Sequence, residues 1–174
     1  NLFNPKKLTL SGFLIAKLKD TEGKLLSTLK FKITGEEICF EINKLENIKL
    51  WDTDNPVLYA LDIRVETPYG IDNLSERFGF RSAEFTKNGF ILNGNPLKIR
   101  GLNRHQSFPY VGYALGKSAQ YKDAEILKYE LRINLVRTSH YPQSKHFLNR
   151  CDEIGLLVFE EIAGWQHIGD KEWQ

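Results

Sequence analysis

Methionine is missing from all 174 residues, and cysteine occurs only twice. The opening stretch, NLFNPKKLTLSG, has neither an initiator methionine nor the apolar core of a secretory leader. We therefore expect a piece of something longer. No run approaches the roughly 18 apolar residues of a membrane-crossing helix, so no membrane partner is expected. Charge of one sign is lacking too. The 24 basic and 22 acidic residues leave a net +2, too little to point to nucleic acid or an anionic surface. Cys39 falls on a strand pattern and Cys151 on a helix pattern, far apart. Two free buried thiols are expected rather than a disulfide, which fits a reducing, cytoplasmic location. The 41% hydrophobic and 26% charged residues exclude disorder and describe an ordinary globular chain with room for two small domains.

What is present falls into two rhythms. Over residues 1–84 the apolar positions alternate: Val57, Tyr59, Leu61, Ile63 and Val65 on one face, then Ile38, Phe40 and Ile42 in EICFEI. FLIAKL, LLSTLKFKI and SERFGFR read as further strands, and TEGK, TGEE, DNP and PYGIDN as turns between them. Short strands with no helix between them predict an antiparallel β-sandwich, a small barrel being the alternative. Asn88-Gly89 and Asn93-Gly94 read as turns, the latter of a hairpin, and the domain boundary is placed near Glu84.

Over residues 85–174 the period changes. LKIRGLN (97–103), NLVRTS (134–139) and LLVFEE (156–161) read as strands. Between them lie two helix patterns, 118–133 with Ser118 as N-cap, and 144–155 from Ser144 to Gly155. Strand, helix, strand, helix, strand with nearly all-apolar strands predicts parallel β/α units, either a small doubly wound sheet or the opening of a barrel.

Such folds place ligands beyond the carboxyl ends of their strands. His105, His140 and His167 follow the three strands in turn, whereas His146 sits inside the second helix. Any one of them alone could satisfy a loop hydrogen bond; three on successive strand ends favour a site. Zinc is the weaker reading, because the three lie far apart with no H-x-H or H-E-x-x-H pattern. Asn103, Arg104, His105, Tyr141 and Trp165 mix donors, acceptors and ring faces as sugar hydroxyls require. Glycoside hydrolysis takes two facing carboxyl groups. Glu160 and Glu161 are neighbours whose side chains point to opposite faces, and Asp152 and Glu153 are on a helix. Arg100 and Arg137 stand in apolar strands and, if buried, need acidic partners, most of them expected from outside these residues.

The run NLVRTSHYPQSKHFLNRCDEIGLLVFEE resembles the signature region of glycoside hydrolase family 2, the β-galactosidase and β-glucuronidase family. LWDTDNPVLYALDIRVE, ERFGFRSAEF and FILNGNPLKIRGLNRHQ do so as well, so that the resemblance runs from about Leu50 to the end. NRHQ, SHYPQ and EEIAGWQHIGD together resemble a bacterial β-galactosidase-like subgroup. The resemblance implies an immunoglobulin-like sandwich over 1–84, then over 85–174 the first three strands and two helices of a (β/α)8 TIM barrel. It implies a fragment of a retaining exo-glycosidase, β-galactosidase being preferred, which acts on terminal β-linked sugars but is itself catalytically incomplete. The alternative is a non-catalytic sandwich module that binds carbohydrate or a partner. His105 and His140 correspond to histidines lining the sugar subsite, Arg137 to an arginine directed at the catalytic carboxylates, and Asn103 and Arg104 accompany them as substrate-binding. His167 matches a magnesium-ligand histidine, but Trp165 replaces the acidic ligand, so no cofactor is expected. The open barrel edge leads us to expect self-association of the fragment.

Overall fold

The structure, a computed structural model, describes residues 1–164 and 169–172. Two compact units form: Asn1–Lys49 with Val57–Phe80, and Leu50–Pro56 with Arg81–Gln174. The first ends a few residues before the expected Glu84, and 50–56, read with the sandwich, is part of the second.

In the first unit, β1 (Phe13–Lys19), β2 (Leu25–Lys32), β3 (Tyr59–Thr67) and β4 (Gly70–Phe78) form one antiparallel sheet in the order β2-β1-β3-β4. Register pairs Leu14 with Val65, Ala16 with Ile63 and Leu18 with Leu61, which gathers the apolar positions of β1 and β3 on one face. Chain without ladder bonds covers that face: Ile38 and Phe40 pack around Leu14, Ala16 and Ile33, and Ile42, Leu45 and Ile48 around Leu18, Val57 and Tyr59. EICFEI is thus buried in alternation but forms no strand, because no neighbour offers it a ladder. The layering is that of a sandwich, while among the described residues of this unit there is no second hydrogen-bonded sheet. The alternation that turns Ile38 and Phe40 inward turns Cys39 outward, so this thiol is exposed rather than buried. PYGIDN is also shorter as a turn than expected, since Ile71, Asp72 and Asn73 belong to β4.

The second unit opens with a three-stranded meander, β5 (Ala83–Thr86), β6 (Gly89–Leu92) and β7 (Asn95–Pro96). Asn93 (φ 52°) and Gly94 (φ 78°) make its hairpin turn, both left-handed as Asn-Gly allows. A parallel sheet follows, in the order β10-β9-β8: β8 (Gly101–Arg104), β9 (Leu135–Thr138) and β10 (Leu157–Phe159). The expected strand 97–103 begins only at Gly101. Before it, Arg100 N donates to Asn134 Oδ1 (2.8 Å) and Asn134 Nδ2 to Lys98 O (2.9 Å), so an asparagine side chain takes the place of a ladder. Arg100 itself is exposed and needs no buried partner.

α1 (Lys117–Glu125) starts from Gly116 rather than Ser118 and widens into a π-helical turn over Ile126–Glu130. α2 (Lys145–Ile154) begins at Ser144, whose side chain accepts from His146 N, and ends at Gly155 with φ 74°. Phe147, Cys151 and Ile154 on α2 pack with Ala124, Ile133, Val136 and Leu156. Burial pushes the Cys151 thiol up, out of reach of ionisation at neutral pH. The segment 50–56 is seated on this core. Trp51, 1% exposed, donates from Nε1 to Asp152 O (2.8 Å) under the Arg81 guanidinium, and Asn93 Nδ2 donates to Trp51 O (2.9 Å).

Candidate functional site

β8, β9 and β10 run parallel, so their carboxyl ends meet along one edge of the sheet. Side chains alternate across that sheet. Val136 and Thr138 face the helices and are fully buried. Arg137 therefore stands on the opposite face, beside Asn103 on β8 and Phe159 on β10 in ladder register. Gly101, Asn103, Leu135 and Arg137 line an open depression of about 390 Å³ there.

Arg137 finds its acid two residues beyond β10. Its Nε donates to Glu161 Oε1, the other carboxylate oxygen lies 3.2 Å from His140 Nδ1, and Arg137 Nη2 is 3.4 Å from that same nitrogen. Glu161 is held in turn by its own backbone, whose N–H donates to Thr138 Oγ1 (3.1 Å). The carboxylate thus fixes both the guanidinium plane and the imidazole. With the proton on Nδ1 toward Glu161, Nε2 of His140 becomes an acceptor. The Ser139–His140 peptide is cis.

Around His140 the rim is aromatic. The His105 ring meets it edge-on with centroids 5.4 Å apart, Tyr141 lies 6.4 Å from His105, and Tyr113 meets Tyr141 at 5.7 Å. The Tyr141 hydroxyl donates to that of Tyr113 over 3.4 Å. Burial, with the Tyr113 hydroxyl beside it, holds the Tyr141 phenol above its usual range, so it stays a protonated donor at neutral pH.

Of the residues expected at a sugar site, His105, His140, Arg137 and Asn103 gather at this edge. Arg104 does not. It lies on the other side of β8 from Asn103, 6% exposed, with its guanidinium over the Phe147 ring and its donors turned to Asp123, Gln120 and Gln143. The period of two along β8 carries that signal, since Asn103 and Arg104 cannot share a face. His146 is exposed on α2. Trp165 and His167 lie outside the described residues, among which no three His, Cys, Asp or Glu side chains gather as metal ligands would. Two residues were not anticipated. Glu161 is the acid that Arg137 needed from within the chain, and Gln143 joins Arg104 to the His140 loop. For Glu161 the signal was an arginine in an apolar strand followed, one strand later, by an acid of matching parity.

Two carboxylates follow β10, but they serve different partners. Glu160 Oε1 accepts from Gln143 N (3.1 Å), whereas Glu161 accepts from Arg137 and His140. The edge therefore offers imidazole, guanidinium, amide and phenol groups suited to hydroxyl recognition, without a facing carboxyl pair among the described residues.

Comparison with known proteins follows the same division of the chain. The profile of "Glycosyl hydrolases family 2, TIM barrel domain" matches residues 83–172, and that of "Glycosyl hydrolases family 2" matches residues 1–81. A β-galactosidase of Thermoanaerobacterium thermosulfurigenes is 55% identical over 162 residues, 91% of this chain and 23% of that protein. A β-galactosidase of Rhizobium meliloti is 50% identical over 161 residues, 91% of this chain and 21% of the relative. Among solved structures, the β-glucuronidase of Parabacteroides merdae superposes with a TM-score of 0.83 at 32% identity, over 92% of this chain and 20% of that one. The chain thus spans between a fifth and a quarter of these proteins.

Proposed function

We propose a function from one premise: the chain belongs to glycosyl hydrolases family 2. In this reading its parallel sheet forms one wall of the sugar site of a retaining, exo-acting β-glycosidase, and the substrate is a terminal β-galactoside. The observation that carries it is the convergence of His105, His140 and the Arg137–Glu161 pair on one sheet edge. Galactose is preferred over glucuronate because relatives that are 50–55% identical are β-galactosidases, whereas the β-glucuronidase structure is 32% identical.

Retention requires two carboxyl groups about 5–5.5 Å apart across the scissile bond, one as acid/base and one as nucleophile. Glu160 and Glu161 are engaged in opposite directions, so both catalytic carboxyl groups come from the remainder of the full-length protein. This wall binds and orients. Asn103, His105 and His140 meet hydroxyls of the terminal sugar, and Arg137 is the arginine directed at the catalytic carboxylates. Trp165 stands where the resemblance places an acidic ligand, and an indole offers a hard cation no acceptor.

The test is a side-by-side assay of the full-length protein on nitrophenyl β-galactoside and β-glucuronide, with the anomer of the first product followed by NMR. Faster turnover of the galactoside with a β-configured first product is expected. Preference for the glucuronide would overturn the substrate, and an α-configured product would overturn retention.

A further inference from the structure

The loop 139–143 carries His140 and Tyr141, and both of its ends are tied to Arg104. At the entering end Ser139 N donates to Arg104 O (3.1 Å). At the leaving end the Gln143 side chain accepts at Oε1 from Arg104 Nη1. We propose that Gln143, anchored by Arg104, is a positioning residue that sets where His140 and Tyr141 stand in the sugar site. The proposal rests on the glycosidase reading above for its kinetic consequence, though not for its geometry.

Arg104 is fixed before the loop reaches it. Its Nε and Nη2 donate to Asp123 Oδ2 (3.0 and 2.7 Å), Nη2 also donates to Gln120 Oε1 (2.8 Å), and the guanidinium lies 3.9 Å from the Phe147 ring centroid. Both helices therefore grip it, and a buried guanidinium tolerates little displacement from such partners. The remaining nitrogen, Nη1, points at Gln143. Because Gln143 Oε1 must accept from that cation, its amide nitrogen faces the other way, where Nε2 donates to Tyr141 O (3.1 Å). The Gln143 backbone N–H adds a third tie, to Glu160 Oε1 (3.1 Å). Of the side chains of this length, only a carboxamide accepts on one arm and donates on the other; a carboxylate accepts on both.

That difference supplies the experiment. In the full-length protein Gln143→Glu keeps an acceptor for Arg104, now charged, but loses the donor to Tyr141 O. We expect an unchanged or raised Tm, faster amide exchange confined to 139–143, and a kcat/KM on nitrophenyl β-galactoside lowered about tenfold, the scale of a misplaced binding group. Gln143→Leu, which keeps bulk and neither bond, is expected to show the same local exchange and kinetic loss with a lower Tm, and decides the matter should Gln143→Glu fail to fold. Exchange and kcat/KM within twofold of wild type in either folded variant would overturn the clamp. So would exchange that rises uniformly over 97–161, since that is a merely structural role. If the unaltered protein hydrolyses no glycoside, the functional reading fails, while local exchange still decides the clamp.

Discussion

At the residue scale, the Glu161 carboxylate has to satisfy two neighbours at once, a guanidinium and an imidazole. Neither pair is fully dry, with the Arg137 side chain 39% and Glu161 20% exposed, so solvent discounts the attraction. Glu161→Gln is therefore expected to cost only about 1–2 kcal/mol of stability. Its effect on the site should be larger than that suggests, because a neutral amide no longer fixes the imidazole proton on Nδ1 or balances Arg137. In the full-length protein we expect kcat/KM on the galactoside to fall at least about tenfold, equivalent to 1.4 kcal/mol of transition-state stabilisation. Steady-state kinetics beside thermal melts would check both parts, and wild-type kcat/KM would remove Glu161 from the site. Much of this was readable from the chain. A strand-borne arginine announces an acid, and histidines after successive strands announce an edge. Arg104 was misread because its neighbours, Asn103 and His105, are edge residues. Only the alternation of β8 separates them, and only the fold shows what waits on the other side.

At the element scale, α2 is legible almost to the residue: a serine cap, three apolar positions on one face and a left-handed glycine. EICFEI is the opposite case, because its alternation reports burial faithfully while the ladder that would make it a strand depends on a neighbour the sequence does not specify. The 50–56 segment lies beyond sequence reasoning for a similar reason. Lys128, in the π-helical turn after α1, donates from Nζ to Thr53 O (2.6 Å) and Gly155 O (2.9 Å), carbonyls far away in the chain. Gly155 accepts this crowding only without a side chain, since a Cβ there would lie 2.2 Å from Thr53 O. Burial depresses the Lys128 pKa below its usual 10.5. The sign follows from the proton count. Above the depressed value the folded amine has released a proton that the unfolded chain still holds, so stability rises with pH up to about 10.5. Lys128→Met leaves two carbonyls without their donor and is expected to lose about 1–2 kcal/mol at pH 7. The deficit should widen between pH 7 and 10, read by urea denaturation of both proteins. A deficit that shrinks as pH rises would contradict the assigned desolvation.

At the scale of the whole molecule, the parallel sheet ends on both sides in strands with an unpaired outer edge among the described residues, β8 and β10. Leu102, Phe159 and Ile162 lie on or just beyond those strands, each roughly half or more exposed. A closed barrel leaves no such edge, and an open one offers backbone donors and acceptors to any strand that meets it. The 174 residues studied by themselves are therefore expected to associate through β8 or β10, covering apolar surface that water would otherwise meet. They are also expected to hydrolyse no nitrophenyl galactoside, since Glu160 and Glu161 are committed elsewhere and supply no facing pair. Light scattering across a dilution series, with amide exchange on the same samples, separates the outcomes. Association should appear as a mass that falls on dilution while exchange at 101–104 and 157–159 speeds up. A chain that stays monomeric at high concentration with those amides protected would mean that the edges are stable in water. Turnover that survives repurification would mean that a carboxyl pair assembles within these residues after all.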